Sequence, residues 1–167
     1  MTTTIRANHG LINAPLEKVW HALIDVESYP RWNPFTTRVE TSFVVGKPAI
    51  LYVTMNGQHQ RVEHEVITVY EPQHAFAWGS IMGAPIILKA NRWQIVEPLD
   101  TEHTQYETYE TFDGLLVPLI MALYRKDIQR GFESVGAALK EYVEASTPGQ
   151  GVVPHTRGLM ASPRTRG

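Results

Sequence analysis

The chain has no cysteine, which excludes disulfide staples, thiolate nucleophiles and thiolate metal ligands together. It also lacks a charge excess. With 15 lysines and arginines against 17 aspartates and glutamates, the formal charge is -2. There is no basic field to hold a phosphate backbone, so nucleic acid is not an expected partner. Long apolar runs are missing as well: the longest, Leu115 to Tyr124, contains Pro118 and is about half of what a bilayer crossing needs. No integral membrane segment is expected. Met1 to Arg6 shows no basic segment followed by an apolar stretch, so no secretory signal is visible and a cytoplasmic location is expected. The seven histidines show no spacing that gathers them into a metal site, and His59 and His64 would face opposite ways within one strand. Neither a metal nor another cofactor is expected. There is no Gly-x-Ser-x-Gly elbow, no phosphate loop and no internal repeat, so serine hydrolysis and nucleotide chemistry have no foothold.

What is present is an ordinary globular composition, 43% hydrophobic and 19% charged over 167 residues, enough for one domain with a core of its own. Its organising stretch is a long amphipathic segment from Leu115 to about Ala145. Met121, Tyr124, Ile128, Phe132, Val135, Leu139 and Tyr142 recur at steps of three and four, which places them on one helical face. That face must lie on something broad and apolar.

The preceding residues supply it. Ile5 to Ile12 reads as a strand, and Asn13-Ala14-Pro15 as a helix entry. Val19, Trp20, Leu23 and Ile24 make a short core-facing helix. A second helical turn, Val26 to Tyr29, is expected to stop at Pro30, with the aromatics from Tyr29 to Phe35 capping one end of the core. Strand-like runs follow at Arg38 to Val44, Ala49 to Met55, Arg61 to Tyr70, His74 to Met82, Ile86 to Val96 and Thr104 to Phe112. Asn56-Gly57 is a hairpin signal, and the short connections predict an antiparallel meander of seven strands including the first. Residues 146–167, with Arg157, Arg164 and Arg166, three prolines and no apolar period, read as a disordered tail after a domain spanning 1–145.

Several of these stretches carry a family resemblance: Ala14-Pro15 through Val19-Trp20, Tyr29-Pro30-Arg31-Trp32-Asn33-Pro34-Phe35, Phe76-Ala77-Trp78-Gly79, Asn91-Arg92-Trp93-Gln94-Ile95, and Tyr109 to Leu116 leading to Leu139-Lys140. Their order and spacing resemble the START-like superfamily called SRPBCC, which includes polyketide cyclase/dehydrase-like, lipid-transfer and pollen-allergen-like proteins. The resemblance implies an α+β helix-grip fold: a curved seven-stranded antiparallel sheet, two short helices after the first strand, and a long C-terminal helix closing an apolar cavity. It does not imply one activity. The sixth strand has Asn91 where the family pattern often has histidine, which puts any role needing an imidazole there in doubt.

Strand alternation nominates the lining. If Tyr106 and Phe112 face inward, Thr108 and Glu110 share their face. Asn91, Trp93 and Ile95 are expected to face in, leaving Arg92 and Gln94 outside, and Phe76, Trp78 and Ser80 are expected inward. On Arg61 to Tyr70 either Glu63 and Glu65 point in with Ile67, or His64 does with Val62 and Val66. The long helix adds Ile128, Phe132 and Val135. Together these make an aromatic wall suited to a small hydrophobic ligand. Gly131 either leaves room for that ligand or lets a neighbour pack closely against the helix.

Glu110 is the candidate catalytic residue. A carboxyl among Tyr106, Phe112 and Trp93 loses hydration, which raises its pKa and suits it to proton transfer; a structural glutamate is the alternative. Asn91, a neutral amide, suits orientation of a ligand carbonyl. Three functions follow: binding or carriage of a lipid, quinone or polyketide-like molecule, gated by the loops Trp32 to Thr36 and Met82 to Ile86; a cofactor-independent cyclase or dehydratase; or a module whose Leu115 to Leu123 docks on a membrane or a partner. The residues leave oligomeric state open.

Overall fold

A computed structural model of the chain describes residues 2–7, 10–55 and 60–146. Thr3–Arg6 (β1) and Gly10–Ile12 (β2) lead into Leu16–Ile24 (α1), a 3-10 turn at Val26–Ser28, and Tyr29–Trp32 (α2). Six strands follow: Thr36–Thr41 (β3), Pro48–Val53 (β4), Arg61–Glu71 (β5), Ala75–Met82 (β6), Leu88–Pro98 (β7) and Thr104–Asp113 (β8). Val117–Ala145 (α3) completes the order. The strands form one eight-stranded sheet, β1-β8-β7-β6-β5-β4-β3, with β2 also on β8. Every pairing is antiparallel. This is the helix-grip arrangement, and it confirms the expected meander.

Three boundaries differ from the sequence reading, each for a local reason. The single N-terminal strand is two: Arg6 pairs with Tyr109 and Gly10 with Tyr106, so the first chain segment has one residue more than β8 between these pairs and the ladder breaks there. Pro30 does not end a helix but sits in the first turn of α2, where a missing N–H costs nothing. β3 stops at Thr41, because Thr41 Oγ1 accepts from Phe43 N at 3.2 Å while Phe43 turns to φ 53. The Asn56-Gly57 turn and residues 147–167 of the expected tail lie outside the described residues.

The short helices cap one end of the core as expected. Tyr29 Oη donates to Leu23 O at 2.7 Å, Trp32 Nε1 donates to Ser28 Oγ at 3.1 Å, and the two rings meet edge-on at 5.0 Å. On α3 the apolar stripe is fully buried over its C-terminal half, at Phe132, Val135, Leu139 and Val143, whereas Ile120, Met121, Tyr124 and Ile128 are only partly covered. The helix packs on β1, β2, β8 and the short helices. One end of the sheet's inner face is therefore closed and the other is open.

Gly131 belongs to the closed end. A Cβ there would lie 2.3 Å from the Phe35 ring, so this glycine admits Phe35 rather than a ligand. Phe35 cannot yield readily, because it packs edge-on against Phe132 at 5.8 Å. A Cβ on Gly136 would meet Tyr106 at an ordinary 3.7 Å. Alanine normally gains about 1 kcal/mol over glycine inside a helix. Denaturant unfolding should thus show opposite signs: Gly136→Ala stabilises by about 0.5–1 kcal/mol, whereas Gly131→Ala destabilises by about 1–2 kcal/mol through overpacking.

Candidate functional site

The site is built on rows of side chains that cross the inner face. One row runs Ile67–Trp78–Arg92–Glu110–Ile5 through direct strand partners. The next runs Tyr70–Phe76–Gln94–Thr108. Phe76, Trp78, Tyr106, Thr108, Phe112, Phe132 and Val135 are all buried, and Ile128 is partly so, so these expected lining residues are together in the interior. Phe76 and Trp78 pack at 5.1 Å, and Trp20 and Phe43 close on Phe76 at 6.0 and 5.2 Å. Around Phe76 the interior is filled by these rings.

β7 has the reverse orientation from the one expected. Arg92, Gln94 and Val96 are buried on the inner face, and Asn91, Trp93 and Ile95 lie on the outer one. Trp93 finds its apolar partner there, stacked on Tyr109 at 6.1 Å and 19°, with the Arg6 guanidinium 4.5 Å above Tyr109. Asn91 is also used up on that face. With its amide oriented to meet complementary groups, Nδ2 donates to Thr68 Oγ1 at 2.6 Å and Trp78 O at 3.2 Å, and Oδ1 accepts from Trp93 Nε1 at 3.0 Å. It is a structural tie at the β5 bulge between Ile67 and Val69, not an orienter of a bound carbonyl.

Arg92 is the residue that sequence reasoning placed on the wrong side. It is 4% exposed, its guanidinium lies 4.3 Å from the Phe132 ring and 5.2 Å from Phe35, and Nη1 donates to Thr36 Oγ1 at 3.3 Å. A signal was available: Leu88 and Val96 are in phase with Arg92, and both are buried. Tyr106 Oη donates to Gln94 Oε1 alongside, and its pKa is pushed up to about 12 by burial. Burial likewise drives the Tyr29 hydroxyl upward. Both phenols are thus neutral donors.

The open choice on β5 is settled by its neighbour. Buried Ala49 and Leu51 pair with Glu65 and Glu63, so both carboxylates share the inner face. Glu65 and Glu110 are partly exposed. Loss of hydration pushes Glu65 up to about 8, with Glu110 adding repulsion and Arg92 opposing. Glu110 rises to about 7 for the same first reason, held back by Arg92 and raised by Glu63. Two buried donors on the central row, Trp78 Nε1 and Arg92 Nε, have no hydrogen-bond partner among the described residues. Of the two expected gates, Trp32 to Thr36 is pinned, since Asn33 Oδ1 accepts from Phe35 N and Thr36 N at 3.1 and 2.8 Å. The other, Met82 to Ile86, is exposed at both ends.

Comparison with known proteins agrees with this architecture. The fold is that of the START-like superfamily. The chain belongs to the polyketide cyclase/dehydrase and lipid transport family, whose model matches residues 4–144. Among solved structures it is similar to the Zhui aromatase/cyclase from Streptomyces sp. R1128, with a TM-score of 0.69 and 19% identity over 86% of this chain and 94% of that one. It is also similar to a START superfamily protein from Mycobacterium smegmatis, with a TM-score of 0.65 and 18% identity over 87% and 99%. Norcoclaurine synthase from Thalictrum flavum gives 0.64 and 13% over 87% and 96%. At these identities the likeness is one of fold. No curated protein matches the sequence.

The raised carboxyls have a sign that stability can report. Folded carboxyls at about 7 and 8 hold protons that unfolded glutamates, near 4.5, release. Between those limits the native state binds more protons, so these groups favour folding fully below about pH 4.5 and progressively less up to about 8. Unfolding free energy should fall across that window, and Glu65→Gln with Glu110→Gln should flatten the decline. A slope equal to that of the parent would contradict these assignments.

Proposed function

We propose that the chain binds a small, largely apolar molecule bearing an oxygen acceptor, in the cleft between the sheet's inner face and the N-terminal half of α3. The observation that carries this reading is the pair of unpartnered buried donors, Trp78 Nε1 and Arg92 Nε. A buried donor without an acceptor costs about 1–3 kcal/mol, and a ligand carbonyl or carboxylate in the cleft removes that cost. The aromatic faces around them supply the apolar contact. The family's own description, spanning cyclisation, dehydration and lipid transport, is compatible with such a ligand. Binding of anilinonaphthalene sulfonate, an apolar probe with oxygen acceptors, tests the reading by fluorescence titration. Trp78→Phe keeps the ring and deletes the donor, and should weaken binding about fivefold, the ~1 kcal/mol of one hydrogen bond. Trp93→Phe, on the outer face, should leave affinity unchanged. Equal affinities for Trp78→Phe and the parent would remove the proposal.

A second reading rests on the carboxyl pair. Glu110 at about 7 and Glu65 at about 8 are poised near neutral pH, where one can accept a proton while the other donates. This arrangement suits enolisation or dehydration of a carbonyl held by Arg92, and the family's description includes cyclase and dehydrase. Should turnover of a polyketide-like substrate be found, Glu110→Gln should abolish it while sparing binding. Full activity in that variant would remove Glu110 from the chemistry.

A further inference from the structure

The apolar surface beside the open end of the cleft is left unused by ligand binding inside it. Ile81 and Met82 end β6 at 55% and 60% exposure, Ile86 in the following loop is 69% exposed, and Leu115, Leu119 and Leu123 at the start of α3 are 74%, 54% and 59% exposed. Scattered exposed aliphatics are ordinary, but a contiguous group marks an interaction surface. The loop and the helix start are one unit. Leu115 N and Leu116 N donate to Ile86 O and Ile87 O at 2.9 and 3.0 Å. Gly114, at φ 120, sits so close that a Cβ would lie 2.5 Å from Ile87 O.

Charge selects the partner. Leu119 and Leu123 are followed on the same helical stripe by Lys126 and Arg130. Arg125 adjoins that stripe, Lys89 follows on β7, and all four cations are exposed. Against these four cations stand Asp113, whose Oδ1 accepts from Thr2 Oγ1 at 2.6 Å, and Asp127, 3.7 Å from Arg130, which leaves the surface net positive. The apolar tip therefore carries a basic collar. Lys126 stands about 10 Å along the axis from Leu119, at 1.5 Å per residue. That matches the ~5–10 Å to which apolar side chains enter the headgroup boundary. A second copy would set cation against cation across such a contact, whereas an anionic lipid surface neutralises the collar.

We propose that the β6–β7 loop and the start of α3 form a docking tip for anionic lipid bilayers, with the mouth of the cleft turned toward the membrane. The tip lies outside the cleft, so docking and ligand binding are separable. Co-sedimentation with vesicles of mixed phosphatidylcholine and phosphatidylglycerol should pellet the chain, and rising salt should release it. Ile86→Asp with Leu119→Asp should weaken pelleting about tenfold or more, and Leu119→Asp alone should weaken pelleting while leaving anilinonaphthalene sulfonate affinity unchanged. Arg125→Glu with Lys126→Glu should erase the preference for anionic over neutral vesicles. Because the chain has no cysteine, Ile86→Cys gives a unique site for a polarity-sensitive fluorophore. Its emission should shift to the blue on vesicle addition, and a label at Thr101→Cys, in the turn at the far end of β7, should not respond. Failure to pellet at low salt, an Ile86 label that does not shift, or a dimer that Ile86→Asp with Leu119→Asp dissociates in the absence of vesicle binding would each overturn the proposal.

Discussion

A guanidinium buried inside an antiparallel sheet is the constraint on which the rest of this structure depends. Taking a cation out of water costs several kcal/mol unless its surroundings compensate. Here the compensation comes from every side of Arg92. Phe132 and Phe35 offer ring faces, Thr36 accepts a hydrogen bond, and Glu110 and Glu65 lend negative charge as they ionise. Each of those partners sits where it does for a separate reason: Phe35 because Gly131 admits it, Thr36 because Asn33 pins its loop, and Glu110 because it is the direct strand partner of Arg92. The same burial keeps both carboxyls above their ordinary range. The arginine and the proton-holding acids are one electrostatic arrangement.

Most of the fold was legible because its signals were long-range periodicities. The α3 stripe repeats over many turns, and the strands from β4 to β8 are bounded by Gly, Pro and Asn, so their positions were read to within a few residues. Facing is a harder quantity, since one residue of slip inverts it. On β8, Tyr106 and Phe112 fixed the phase correctly. On β7 the larger apolar residues, Trp93 and Ile95, argued for one face and the smaller set, Leu88 and Val96, for the other. Size misled, because the outer face has a partner for Trp93 in Tyr109 that no local pattern reveals. The Glu63 and Glu65 choice was undecidable from β5 alone and became definite only through pairing with Ala49 and Leu51.

The interior divides into two unequal parts. Beneath the C-terminal half of α3 the apolar stripe is fully buried, and toward its N-terminal half the same stripe is only partly covered. Family membership accounts for this plan without naming a ligand, since the solved relatives share the fold at low identity. The chemistry that distinguishes this chain lies in its own residues: one buried arginine, one indole donor, and two acids that resist ionisation.

The central claim, that these inward donors await an acceptor, is tested most directly by following the indole N–H signals of Trp78 and Trp93 by proton–nitrogen correlation while a small aromatic ketone is added. Trp78 should shift saturably as its N–H gains a partner, and Trp93, already bonded to Asn91, should stay in place. A shift at Trp93 with Trp78 unmoved, or no response from either, would contradict the account.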